Sequence, residues 1–241
     1  MFQDDGCPGG SVYVHSQLQS SSGLGSSAAV TVATLSAIND EFNLGHAREY
    51  IAETAFAIEK KVQKGRASPT DTYVCANGGM VLITGGNSKR RLPPENLQVV
   101  VGGNTLVPHS TAKMVELVGT LQRKHPEVAN PILDAIGALT LAALHNIGNP
   151  KELGQYMDMN HALLEALGVG GHPVSSKLVL AARASGAYGA KITGAGGGGC
   201  IIALCPRRAK SRVAGGAIEA CEGRAIITSI DTDGARREKH D

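Results

Sequence analysis

An α+β fold in two lobes is what this 241-residue sequence predicts, on three observations. Strand-like and helix-like stretches alternate over residues 1–90. Helical periodicity then dominates residues 110–186. Short apolar, strand-like runs return after that and enclose one more helix.

Residues 11–18, SVYVHSQL, set Val12, Val14, Ser16 and Leu18 on one face, the alternation of a half-buried strand. A loop of serines and glycines follows, and Ser26 to Asn39 reads as a helix. Gly45 separates it from a second helix over His46–Val62, whose apolar stripe is Ile51, Ala55, Ile58 and Val62. The segment QKGRASPTD breaks that pattern. Thr72–Thr84 then reads as two strands bent at Asn77–Gly78–Gly79. Gly85–Pro94 is polar and turn-rich, a boundary between a first domain over 1–90 and a second over 91–241. In the second, Leu97–Val101 reads as a short buried strand, and helices run near 110–124, 130–147, 150–167 and 173–186. Ala187–Thr193, Cys200–Cys205 and Ala225–Ser229 read as strands, with a helix over 208–221 between the last two.

Hydrophobic residues make up 42% and charged residues 18%, the balance of a soluble globular chain. The 31 glycines exceed the usual share of about 7% and gather in a few places, so they mark special backbone sites. With no tryptophan and 3% aromatics, the core is aliphatic. A net charge of +2 gives no footprint for nucleic acid or an anionic membrane. The five cysteines (Cys7, Cys75, Cys200, Cys205 and Cys221) form no CxxC pair, and their odd number speaks for a reducing, cytoplasmic setting. No uninterrupted apolar run reaches the roughly 18 residues of a membrane span.

Three places carry chemistry. In SSSGLGSSAAV, glycines lead straight into a helix N-terminus, where unpaired N–H groups and the helix dipole favour an anion. A plain capped helix after a flexible turn fits the same residues. The GK[ST] ending of a Walker loop is absent. In KITGAGGGGC, Gly194, Gly196 and Gly199 match G-x-G-x-x-G, but CIIALC continues as a strand, so the dinucleotide fingerprint fails. What remains is a tight hairpin or a loop that brings backbone close to a ligand. Glu59 edges the small face of the second helix and asks for a partner such as Mg²⁺. Asp71, after the rigid GRASPT turn, suits proton acceptance from a hydroxyl; a helix-end Glu and an Asx-turn Asp are the bland alternatives.

Together these motifs resemble the GHMP kinase family, in QSSSGLGSSAA at Gln19–Ala29 and KITGAGGGGC at Lys191–Cys200. Within it, GRASPTDTYVCANGGMVLI at Gly65–Ile83 and NTLVPHSTAKMV at Asn104–Val115 are similar to mevalonate kinases of the archaeal type. The resemblance implies a two-lobed fold: a ribosomal S5 domain 2-like N-terminal lobe, truncated at its start, and a ferredoxin-like C-terminal lobe. It implies ATP-dependent phosphorylation of mevalonate in isoprenoid biosynthesis, with mevalonate as the small-molecule partner and a homodimer as the assembly. It makes Gln19, Ser20, Ser21, Ser22, Gly23, Leu24, Gly25, Ser26, Ser27, Ala28 and Ala29 the ATP phosphate loop, with Ser16 beside the nucleotide. Ser27 and Glu59 would hold Mg²⁺, and Asp71 would be the base. Thr105 or Thr111 would border the substrate, while Gly194, Ala195 and Gly196 support the loop. Departures are Gln19 in place of proline, an extra residue at Lys64, and no counterpart of the family's opening P-G-K-x-x-L-x-G-E-H, whose lysine stands beside the aspartate. Other acceptors (phosphomevalonate, homoserine, a sugar) and a non-catalytic nucleotide-binding fragment remain as alternatives.

Overall fold

The structure, a computed structural model, describes residues 10–16, 23–63, 65, 67–84, 88–92, 100–106 and 110–238. In the first lobe α1 (Ser26–Glu41) starts directly from Gly25, which is left-handed at φ 67°. It packs with α2 (Arg48–Val62) and α3 (Pro69–Asn77) through Val32, Ile51, Ala52, Ala55 and Ala76. Three of those five are alanines, so the helices approach closely. An antiparallel pair follows, β1 (Met80–Ile83) with β2 (Lys89–Leu92).

Two strands expected from the sequence are absent. Thr72, Tyr73 and Val74 favour strands, yet they lie in α3. Ser68 accepts a hydrogen bond from the Thr70 N–H, Pro69 takes the first helical turn and Asp71 follows it. Those start signals outweigh the propensity of the residues behind them. Gly78, at φ 70°, ends the helix, and only Met80–Ile83 is extended. Residues 10–16 are not a strand either. They are exposed and meet no neighbouring strand among the described residues, so the alternation of Val12 and Val14 is left unpaired. Leu18 lies outside the described residues.

The second lobe runs β3 (Val100–Asn104), α4 (Thr111–Lys124), α5 (Pro126–His145), α6 (Pro150–Ala166), α7 (Pro173–Ala184), β4 (Gly189–Ile192), β5 (Cys200–Leu204), α8 (Arg208–Ala220) and β6 (Arg224–Thr228). The four strands form one antiparallel sheet in the order β4-β5-β3-β6. A strand–helices–strand–strand–helix–strand chain in that order is the ferredoxin-like plan. The β3 strand begins later than Leu97 and runs on to Asn104; residues 97–99 lie outside the described residues. Ile201 and Ala203 of β5 bury against Leu178, Val179 and Ala182 of α7 and Ala214 and Ile218 of α8. A Cβ at Gly103 would meet Ile201 and Ile218 at 3.1 and 3.2 Å, so β3 leaves a flat seat for α8.

α6 presses on the outer edge of β4. A Cβ at Gly154 would sit 2.4 Å from the Tyr188 carbonyl carbon. Gly154→Ala should therefore lower unfolding stability by about 1–3 kcal/mol, read from urea denaturation. α4 and α5 have a different character: α4 buries none of its residues and α5 buries only Ala129. Among the described residues α5 is the one helix long and apolar enough, by length and composition, to cross a bilayer. Glu127 and Asp134 interrupt its apolar run, which is why no uninterrupted stretch stands out in the sequence. It lies packed between α4 and α6.

Beyond β6 the chain crosses back to the first lobe. The Asp231 carbonyl accepts from the Gly79 N–H at 2.6 Å, and the Ala235 N–H donates to the Ala76 carbonyl at 3.3 Å. Arg48 and Arg91 reach the carbonyls of Asp233 and Thr232. This strap lies on the end of α3, with Gly78 so close to Gly234 that a Cβ would fall 2.5 Å from its nitrogen.

Candidate active site

Between the lobes lies a cleft of about 800 Å³, lined on one side by Gly23, Gly25, Ser26, Ser27 and Ala28 at the start of α1. Among the described residues no side chain caps α1, so its first-turn N–H groups are left to a ligand, with the positive end of the helix dipole behind them. Gly23 and Gly25 both have positive φ, 76° and 67°. At Gly25 glycine has a second purpose. A Cβ there would lie 3.4 Å from the Asp71 side chain, so the loop admits the carboxylate because it lacks one.

Glu59 enters from α2 and is buried at 6% exposure. Its Oε1 accepts from Ser27 Oγ at 2.7 Å and from Thr31 Oγ1 at 3.1 Å, and its Oε2 accepts from Gln63 Nε2 at 2.7 Å. Ser27 and Glu59, chosen from the sequence as a pair, thus touch. Thr31 and Gln63 were missed, although each stands four residues along a helix from a residue of that pair. Asp71 faces the same cleft from the first turn of α3. Burial raises its pKa above the usual 3.8, and the Glu59 charge raises it further. Among the described residues no ion pair involves either carboxylate. Two converging carboxylates and a serine hydroxyl form an all-oxygen donor set that fits a hard divalent cation such as Mg²⁺.

The second lobe closes the cleft. Gly194, Ala195, Thr111 and Ala112 line it. Thr193 Oγ1 donates to the Gly23 carbonyl at 3.3 Å, and a Cβ on Gly194 would lie 3.4 Å from Gly23. The second glycine loop therefore rests on the first, backbone to backbone. Gly196 sits behind this contact, where a Cβ would strike the Val169 carbonyl at 2.2 Å. Thr105 is buried away from the lining, its N–H donating to the Gly199 carbonyl at 2.7 Å. Ser16 is exposed in the segment before the loop, and neither Leu24 nor Ala29 lines the cleft. Gln19, Ser20, Ser21 and Ser22 lie outside the described residues. Ala67, Ser68 and Thr70 of the GRASPT turn complete the wall beside Asp71, together with Thr72, which was not singled out in the sequence.

Two family models match the chain, GHMP kinases N terminal domain over residues 1–79 and GHMP kinases C terminal over 140–222. The mevalonate kinase of Pyrococcus abyssi is 40% identical over 238 residues, 96% of this chain and 69% of that protein. That of Thermococcus onnurineus is 42% identical over 96% of this chain and 70% of its own length. The crystal structure of L. major mevalonate kinase in complex with R-mevalonate superposes with a TM-score of 0.76 at 24% identity, covering 88% of this chain and 67% of that one, and so supports the fold. The two glycine loops, the buried glutamate and the aspartate after its rigid turn stand in a chain that belongs to the GHMP kinases, in the mevalonate kinase branch of that family.

Proposed function

We propose that this chain transfers the γ-phosphoryl group of ATP to the 5-hydroxyl of (R)-mevalonate, a step of isoprenoid biosynthesis. The observation that carries this is the Asp71 carboxylate held against Gly25 of the phosphate loop, in a chain about 40% identical to mevalonate kinases. Phosphoryl transfer asks the protein mainly for in-line positioning and charge stabilisation. The α1 N-terminus and the backbone of Gly23–Ala28 hold the phosphates. Asp71 accepts the hydroxyl proton as the oxygen attacks phosphorus and ADP leaves. Gly194 and Ala195 cover the loop and exclude water. Ser27 and Glu59 would hold Mg²⁺, which when bound neutralises phosphate charge. The test is ADP release with Mg-ATP over a panel of acceptors: mevalonate should turn over, and an inert mevalonate beside an active second alcohol overturns the assignment.

We set the lobe boundary between β2 and β3, a few residues beyond 90, since residue 90 itself lies inside β2. Among the described residues the free thiols of Cys75, Cys205 and Cys221 fit a cytoplasmic setting. For the homodimer we assign the α4–α5 hairpin, which buries little of its own surface and leaves Val115, Leu117, Val128 and Leu141 41–52% exposed. Apolar residues left open in this number are characteristic of an interface. Val115→Glu with Val128→Glu should yield a monomer in analytical ultracentrifugation, with ATP turnover per chain intact; an unchanged sedimentation coefficient removes the assignment.

A further inference from the structure

The free edge of β4 is closed by side chains. Thr193 N–H donates to the Cys200 carbonyl across the β4–β5 ladder, so by alternation Ala190 and Ile192 point their backbone groups away from β5. All four outward groups have partners. Ala190 N–H donates to Asp158 Oδ1 at 2.8 Å, and its carbonyl accepts from Arg183 Nη2 at 2.7 Å. Ile192 N–H reaches His161 Nδ1 at 3.5 Å, and its carbonyl accepts from Lys191 Nζ at 2.7 Å. Asp158 and His161 share one face of α6, three residues apart. Three helical residues rise about 4.5 Å while two strand residues span about 6.6 Å. The mismatch accounts for the longer contact at His161. An open edge strand is ordinarily a liability; here α6 covers it and aims its two polar residues at the amides.

The last member of this clamp stands one residue from the site. Ile192 precedes Thr193, whose hydroxyl holds the Gly23 carbonyl, and Gly194, which rests on Gly23. We propose that His161 is a positioning residue for phosphoryl transfer: as acceptor for the Ile192 N–H it fixes the end of β4, and with it the Thr193–Gly194 contact on the phosphate loop. The proposal rests on the kinase assignment above. His161 is 2% exposed and its Nε2 lies 3.5 Å from Glu165 Oε1, so the ring that accepts at Nδ1 is neutral with its proton on Nε2. Asp158 and Glu165 face it from its own helix, Arg183 from α7 and Lys191 from β4. Burial lowers its pKa first; Glu165 opposes this, Arg183 and Lys191 add to it, and Asp158 opposes. Protonation would turn the acceptor into a donor aimed at an N–H, and the end of β4 would lose its anchor.

The experiment compares His161→Asn, which keeps an acceptor at the Nδ1 position, with His161→Gln, which moves it to the Nε2 position, and with Thr193→Val. His161→Asn should stay within about twofold of wild type, while His161→Gln and Thr193→Val each raise KM for ATP about tenfold and leave KM for mevalonate unmoved. The double variant should be no worse than either single one. On the acid side kcat/KM for ATP should fall with two protons in wild type, below the ordinary histidine range for His161, and with one in His161→Asn. Equal Asn and Gln variants, an effect on mevalonate KM, or additive losses overturn the proposal. Calorimetry with a nonhydrolysable ATP analogue separates the two levels. A wild-type chain that binds no analogue overturns the kinase assignment as well. Analogue bound equally by the Asn and Gln variants overturns the clamp alone.

Discussion

Asp71→Asn is expected to cut kcat/KM for mevalonate by about 10²–10⁴-fold and, at neutral pH, to raise the melting temperature. Both effects come from one placement. The carboxylate is held in a half-enclosed cleft beside Glu59, and burial followed by the Glu59 charge raises its pKa above 3.8. In the unfolded chain it ionises at its ordinary value. Between the two values the folded state binds the proton that the unfolded state has released, so stability falls as pH rises through that window. The cost is absent below the unfolded pKa and complete above the folded one. Asparagine keeps the shape without the charge and removes that cost along with the base. The acid limb of kcat/KM should accordingly lie above the range of an ordinary carboxylate. Steady-state rates from pH 4 to 8 and calorimetric melting at pH 7 check the pair. An active Asp71→Asn, or one that melts lower than wild type, removes Asp71 from the role of base.

The second large effect is expected at Glu59. Glu59→Gln should lower kcat/KM for ATP by about 10²-fold or more, because a hard divalent cation binds a neutral amide far less well than a carboxylate. Raising Mg²⁺ should recover part of the loss, and that recovery distinguishes metal binding from scaffold damage. Glu59→Ala should be worse in another respect. It strips the acceptor from Ser27, Thr31 and Gln63 together, and a buried polar group without its partner costs about 1–3 kcal/mol. Denaturation midpoints should therefore separate the alanine variant from the glutamine variant. Mg²⁺ titration of turnover should separate the glutamine variant from wild type. If Mg²⁺ dependence is the same in all three, Glu59 is a structural acceptor and holds no metal.

Long helices were legible in the sequence from uninterrupted runs of helix-compatible residues between turn signals, as in α1, or from an apolar stripe, as in α2 with Ile51 and Ala55. α1, α2 and α4 through α8 appear within a few residues of where the pattern sets them. Elements whose identity rests on their ends or on a neighbour were not. α3 reads as a strand from Thr72, Tyr73 and Val74 and becomes a helix because Ser68, Pro69 and Asp71 start it. Residues 10–16 alternate like a strand but pair with no strand among the described residues. In the site, residues that announce themselves by type, the glycine loops, Glu59 and Asp71, were legible. Thr31, Gln63 and Thr193 were not, since threonine and glutamine gain their meaning only from what they touch. The clamp on β4 was equally invisible: Asp158 and His161 are ordinary surface-type residues until a strand edge lies beside them.

The strap over the end of α3 gives the protein's synthesis an order. Asp233 and Arg48, which it joins, are 185 residues apart. At about 5–20 residues per second the ribosome needs roughly 10–40 s between them. For most of that interval α2 and α3 are already made but Gly79, Ala76 and Arg48 lack the backbone groups they finally hold. The helix that carries Asp71 receives its last partners after every strand of the second lobe has emerged. A chain released before Asp231 would then carry all the strands of the second sheet and a catalytic helix without its strap, so the support of the residue that performs the chemistry is added long after the residue itself.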